Sequence, residues 1–205
     1  MKQRRIEEED LGPMKLIFNY ENVFYSFFYD DISGCIHRSR EYAMNYVYSG
    51  EMILDNGKQQ IHVGKGECVY IPRDHHITMY KRTFNGERYC GIFLNFTRNF
   101  LREMYAKFGQ CKIPADTSKL KPEVIKLPKT AEITSLFASL TPFFDPEVKP
   151  RDDFMHLKLQ EGLLALLHID ERFASTLFDF NEPWKIDIMD FMNKNYMYEF
   201  TMEEL

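Results

Sequence analysis

No apolar run in the 205-residue sequence approaches the roughly 18 residues that a membrane-spanning helix needs. The opening stretch, MKQRRIEEED, lacks the apolar segment of a secretory signal. Cysteine is scarce. Cys35, Cys68, Cys90 and Cys111 stand far apart, with no Cys-x-x-Cys pair and no Cys–His cluster at finger spacing. Four scattered thiols without an export signal fit small buried apolar groups in a reducing compartment, so the expected location is the cytoplasm. Positive charge is not in excess either. A formal net charge of −5 excludes a basic chain held on nucleic acid by bulk charge. Neither a Gly-x-Ser-x-Gly nucleophile elbow nor a P-loop is present.

What is there divides near residue 130. Before it, the chain reads as short strands punctuated by glycine turns. Residues 16–29 are rich in Phe and Tyr and suit one or two strands. Residues 42–48 form the next strand, closed by Ser49-Gly50. Segments 51–54 and 58–63 flank Asp55-Asn56-Gly57, and segments 77–83 and 87–96 flank Asn85-Gly86. Asn-Gly supplies the positive φ angles of a tight hairpin. Residues 68–71 make a short strand stopped by Pro72. Antiparallel strands with turns at this spacing predict a sandwich or barrel. Residues 97–108 read as one helix. The prolines that follow, Pro114, Pro122 and Pro128, mark a connection with strand pieces.

After residue 130 the period becomes helical. Ile133, Leu136, Phe137 and Leu140 recur at helix spacing over 131–144. Residues 152–173 give the clearest helix, with Phe154, Leu157, Leu159, Leu163, Leu164, Leu166 and Leu167 covering more than one narrow stripe. Such a helix is either packed wholly within one subunit or shared with a second one. Leu157, Leu163, Leu164 and Leu167 are the candidate dimer contacts. Pro183 opens a further helix. Thr201-Met202-Glu203-Glu204 has the spacing of a capping box, a helix start, immediately before the last residue. The expectation is that a longer natural chain continues from here. The organisation is then a charged arm over 1–14, a strand domain over 15–129, a helical region over 130–182, and the start of a further helical domain over 183–205.

Gly66, five residues and Pro72 resemble the second motif of the cupins, a superfamily of small β-barrels. In the family's metalloenzymes, three His and one Glu from the two motifs hold a divalent metal. Laid on this sequence, the first motif places His37 on the first histidine, Ser39 on the second and Ala43 on the glutamate, with Gly50 in register. In the second, Gly66 and Pro72 match, Asp74 replaces a glycine and Ile77 replaces the last histidine. The barrel-shaping residues persist while three of four ligands are gone. One imidazole does not make a metal site, and His75-His76 point to opposite sides of an extended chain. The expectation is no metal and no cofactor.

Alternation places His37, Ser39, Ala43, Asn45 and Val47 on one face, which the same resemblance makes the inner one; Ile77 and Met79 join them, and Phe93 and Asn95 are further contributors. Several are small or polar. They either line a ligand cavity or fill a core, and His37 is either a contact or a structural histidine. The candidate ligand residues are His37, Ser39, Asn45, Val47, Ile77, Met79 and Phe93. Tyr42, Tyr46, Tyr48 and Tyr70 serve either as rim contacts or as amphipathic packing.

Residues 187–205 resemble the opening of an AraC-type DNA-binding domain, whose first helix ends in an Asn-Tyr element, here Asn195-Tyr196. Strands, leucine-rich helices and this tail, in that order, resemble the amino-terminal half of AraC-family transcription regulators. The resemblance implies an α+β fold, a cupin-like antiparallel β-barrel followed by a helical dimerisation segment. It implies a small-molecule effector, a sugar or other metabolite, and a homodimer. DNA would be bound only through a carboxy-terminal helix-turn-helix domain, with no membrane partner and no catalysis. The arm would either close over the pocket or contact that further domain, or it is a terminus without function. The rival from the same fold is a metal-dependent dioxygenase or isomerase. A stand-alone binding module is a third reading.

Overall fold

The structure, a computed structural model, describes residues 14–21, 23–29, 33–38, 40–108 and 118–180. Ten strands and four α-helices are present among them. The strands are β1 (Met14–Tyr20), β2 (Phe24–Tyr29), β3 (Ser33–Arg38), β4 (Tyr42–Ser49), β5 (Glu51–Asp55), β6 (Gln60–Gly64), β7 (Cys68–Ile71), β8 (His76–Arg82), β9 (Tyr89–Phe96) and β10 (Ile125–Leu127). The helices are α1 (Arg98–Phe108), α2 (Ala131–Ala138), α3 (Asp152–Ile169) and α4 (Arg172–Leu177), with a 3₁₀ turn at Thr141–Phe144. The expected arm lies outside the described residues apart from Met14, which begins β1. The expected further domain over 183–205, with Asn195-Tyr196 and the capping box, lies wholly outside them. Among the described residues no helix is long and apolar enough to cross a membrane.

The strands form two antiparallel sheets. One has the order β1-β2-β9-β4-β7-β10 and the other β3-β8-β5-β6. Among the described residues the two do not join into one closed ring. They face each other across a shared core of Ala43, Val47, Met52, Leu54, Val69, Ile71, Ile77, Met79 and Phe93, among others. The larger sheet is covered on its opposite side too. Met44, Tyr46, Tyr70, Leu94 and Phe96 pack there against Leu101, Leu136, Phe137, Leu163 and Phe173 of the helices. Burial on both faces explains why β4 and β9 read as nearly continuous apolar runs rather than alternating ones. Tyr46 and Tyr48 are packing groups. The Tyr46 ring stacks on Phe137 with centroids 4.7 Å apart, and the Tyr48 hydroxyl donates to the Phe137 carbonyl at 2.7 Å. Cys68 and Cys90 are buried.

The two Asn-Gly turns differ. Asn85 and Gly86 both take positive φ (51° and 76°), and Phe84 and Glu87 exchange two backbone hydrogen bonds of 3.0 Å, so this hairpin closes as its sequence predicts. The other turn is not a two-residue one, because Asp55 pairs with Gln60 and only Gly57 takes positive φ. There the side chains of Asp55 and Asn56 accept the N–H groups of Gly57, Lys58 and Gln59, which builds a longer loop.

Two helices are shorter than their periodicity predicts. The expected helix over 131–144 stops at Ala138, since Pro142 cannot continue it, and the 3₁₀ turn takes over. The expected helix over 152–173 stops at Ile169. Asp170 is extended (φ −155°, ψ 121°), and its carboxylate accepts from the Arg172 N–H at 2.9 Å, which starts α4 instead. Within α3, Gly162 allows the close seat on the sheet. A Cβ there would meet Leu94 at 3.1 Å and Leu136 at 3.3 Å.

Candidate functional site

Strand alternation places the inward-facing side chains. On β4 these are Ala43, Asn45 and Val47; on β8, Ile77, Met79 and Lys81; on β9, Phe93. Register then brings them together. Asn45 is the cross-strand neighbour of Phe93 on one side and of Val69 on the other. Five of the seven candidate ligand residues therefore converge: Asn45, Val47, Ile77, Met79 and Phe93, each at most 1% exposed. His37 lies on β3 with its backbone opposite Ile77. Ser39 lies outside the described residues. In this structure the convergent residues are closed off from solvent, so the site is an interior and not an open cleft.

Two polar groups stand in that apolar interior. Asn45 is fully buried, and its amide nitrogen donates to the Ile92 carbonyl at 3.1 Å. Its carbonyl oxygen Oδ1 has no hydrogen-bond partner among the described residues. An unmet buried acceptor costs about 1–3 kcal/mol. Lys81, only 4% exposed, is the second group. Its Nζ lies 5.6 Å from the Phe93 ring centroid and 5.9 Å from that of Tyr89. An ammonium held away from water is costly unless it is matched by electron-rich or anionic groups, and these two ring faces are among the groups that meet it. The sequence reading missed Lys81. The signal was available, because Lys81 continues the alternation of Ile77 and Met79.

The chemistry such a site offers is recognition. It combines an apolar body with one buried cation and one buried acceptor. Among the described residues no group of three or more His, Cys, Asp or Glu is placed to hold a metal ion. The backbone at the second motif position keeps a trace of the barrel pattern. Asp74, standing where that motif has glycine, takes φ +56°, the left-handed region that glycine favours.

The candidate dimer residues separate. Leu163 is fully buried in the chain's own core and is not available to a partner, because α3 turns it toward the sheet with Met155, Leu159 and Leu166. Leu157 is 57% exposed, beside exposed Phe154. Leu164 and Leu167 are half-buried.

Comparison with known proteins places this geometry in a family. The model of the ExsA N-terminal regulatory domain matches residues 42–178, more than half of the chain. No curated protein matches it. Among solved structures, ToxT from Vibrio cholerae bound to (E)-4-(8-methylnaphthalen-1-yl)but-3-enoic acid is similar, with a TM-score of 0.59 at 11% identity, over 88% of this chain and 68% of that one. An apo ToxT variant from the same organism gives a TM-score of 0.60 at 10% identity, over 88% and 68%. Unsaturated-fatty-acid-bound ToxT gives 0.54 at 9%, over 87% and 65%. At these identities the likeness shows a shared fold. The family match goes further: the chain belongs to the ExsA N-terminal regulatory domain family, of the AraC-type regulators.

Proposed function

We propose that this member of the ExsA N-terminal regulatory domain family senses a small amphipathic carboxylate, which inserts between the two sheets with its acid group toward Lys81. The observation that carries the reading is the pair of polar groups enclosed in the inter-sheet interior, the Lys81 ammonium and the unpartnered Asn45 oxygen. An apolar tail would replace contacts among Val47, Ile77 and Met79, and the carboxylate would lie beside the Lys81 ammonium. Support comes from the neighbours, since ToxT binds an unsaturated fatty acid and an arylbutenoic acid, both carboxylates with apolar bodies.

Entry requires the sheets to part. The larger sheet shares its β4 and β9 with the helix-side core, so a change in its position is felt by α2 and α3. An effector shifts a regulator only if it prefers one state. The exposed ridge of Phe154 and Leu157 on α3 is where a second copy docks, and DNA is bound by a helix-turn-helix domain beyond the described residues. The reading is regulatory and not catalytic, in a cytoplasmic homodimer.

Thermal unfolding tests it. Palmitoleate should raise the unfolding midpoint of the wild-type chain, by linkage to the folded state. Lys81→Met should fold and lose that response. A midpoint unmoved by palmitoleate but raised by a neutral sugar such as arabinose would overturn the carboxylate reading.

A further inference from the structure

A cavity lined by none of the inter-sheet interior residues opens on the helix side of the larger sheet. It has a volume of about 460 Å³ and lies between the loop after β7, the segment over 119–122 and the end of α4. That size suits a small metabolite. We infer that it is a binding site for a small hydroxylated carboxylate, independent of the interior site proposed above.

The walls are built rather than incidental. The Tyr42 and Tyr70 rings stack with centroids 6.1 Å apart, and Tyr70 meets Phe173 edge-on at 4.9 Å. The Arg73 guanidinium, 9% exposed, donates from Nε to the Tyr42 hydroxyl at 3.2 Å, and that hydroxyl donates to the Thr176 carbonyl at 3.2 Å. Thr176 Oγ1 in turn accepts from the Leu120 N–H at 2.9 Å, which ties the 119–122 segment to α4.

Two polar atoms of the lining are buried without a hydrogen-bond partner among the described residues, the Tyr70 hydroxyl and His75 Nε2. Tyr70 as a whole is fully buried. Its burial, and Tyr42 beside it, hold the phenol well above its ordinary range, so it stays a hydrogen-bond donor. Buried groups of this kind are normally satisfied, and a bound molecule satisfies them.

Charge decides the class of ligand. Arg73, Lys119 and Lys121 line the cavity against Asp74 and Asp179. Asp179 is paired with Lys119, and Asp74 lies 3.4 Å from Arg73. The balance is one positive charge in excess, which Lys121 contributes, and this favours a monoanion over a doubly charged phosphate. Pro72, Leu120 and Pro122 provide the apolar surface for a ring or short chain. The ligand hydroxyl then meets Tyr70 or His75 while its carboxylate meets Lys121.

The test is isothermal titration of the chain with 4-hydroxybenzoate, with benzoate and inorganic phosphate as comparison probes. The wild type should bind 4-hydroxybenzoate saturably and more tightly than either comparison probe. Tyr70→Phe keeps both ring contacts and removes only the hydroxyl. It should weaken 4-hydroxybenzoate by about tenfold while leaving the ligand-free unfolding midpoint unchanged or higher. Lys121→Gln, at an exposed position, should weaken both carboxylates. Lys81→Met should bind 4-hydroxybenzoate as the wild type does, which separates this site from the interior one. No saturable binding, phosphate binding as tight as 4-hydroxybenzoate, or affinity unchanged in both Tyr70→Phe and Lys121→Gln would overturn the inference.

Discussion

Gly50 and Tyr89 meet backbone to backbone. A Cβ on Gly50 would lie 2.6 Å from the Tyr89 Cα and 2.8 Å from the Arg82 carbonyl oxygen, and Gly50 itself takes φ +67°. This is the corner at which the chain leaves the larger sheet at the end of β4 and enters the smaller one at β5. Neither neighbouring atom belongs to a flexible side chain, so neither can give way. Gly50→Ala should therefore lower stability by more than about 2 kcal/mol in urea unfolding. Gly57→Ala, at φ +80° with nothing near its Cβ, should cost only about 1 kcal/mol. Equal costs would mean that the Gly50 contact is not a constraint.

Much of this was legible from residue pattern alone. Gly50, Gly66 and Pro72 marked two turns and the end of β7; alternation put Asn45 and Val47 on one face, and the cupin resemblance made that face the inner one, with Ile77, Met79 and Phe93 joining it. The second covered face of the larger sheet was not legible, because Met44, Tyr46 and Tyr70 read as ordinary amphipathic positions until the helices are packed on them. The break at Asp170 was hidden for a related reason. The apolar spacing of α3 runs on through Ile169 and Phe173 into α4, and a local side-chain bond to the Arg172 N–H interrupts it. Lys81 was hidden by its type, since lysine is so rarely an inward residue.

Leu163 and Leu157 occupy the same helix with opposite fates. Leu163→Ala removes a fully buried side chain from the helix-side core and should cost about 2–5 kcal/mol. Leu157→Asp, at an exposed position, should change monomer stability by less than about 0.5 kcal/mol. If the Phe154–Leu157 ridge docks a second copy, as proposed, Leu157→Asp elutes as a monomer where the wild type elutes as a dimer. A dimeric Leu157→Asp protein would place the interface elsewhere.

Glu41 links stability to pH. Burial raises its carboxyl from the ordinary 4.5 to about 7, against the lowering influence of Arg73 and Arg98. The folded state therefore holds a proton that the unfolded state releases. The stability tied to this proton is fully present below pH 4.5 and is lost as pH rises to about 7. Unfolding midpoints of wild type and Glu41→Gln should diverge over that window, with the wild type falling relative to the variant and the difference levelling off above it. Parallel pH profiles would show that Glu41 titrates normally.

Methionine methyl groups report on the two cores separately. Met52 and Met79 line the inter-sheet interior, while Met44, Met104 and Met155 lie in the helix-side core. Methyl NMR of the chain titrated with palmitoleate reads both at once. An effector seated beside Lys81 should shift Met52 and Met79 first and most, and those shifts should vanish in Lys81→Met. Saturable shifts confined to Met44, Met104 and Met155, with Met52 and Met79 unmoved, would contradict the assignment of the interior as the sensing site.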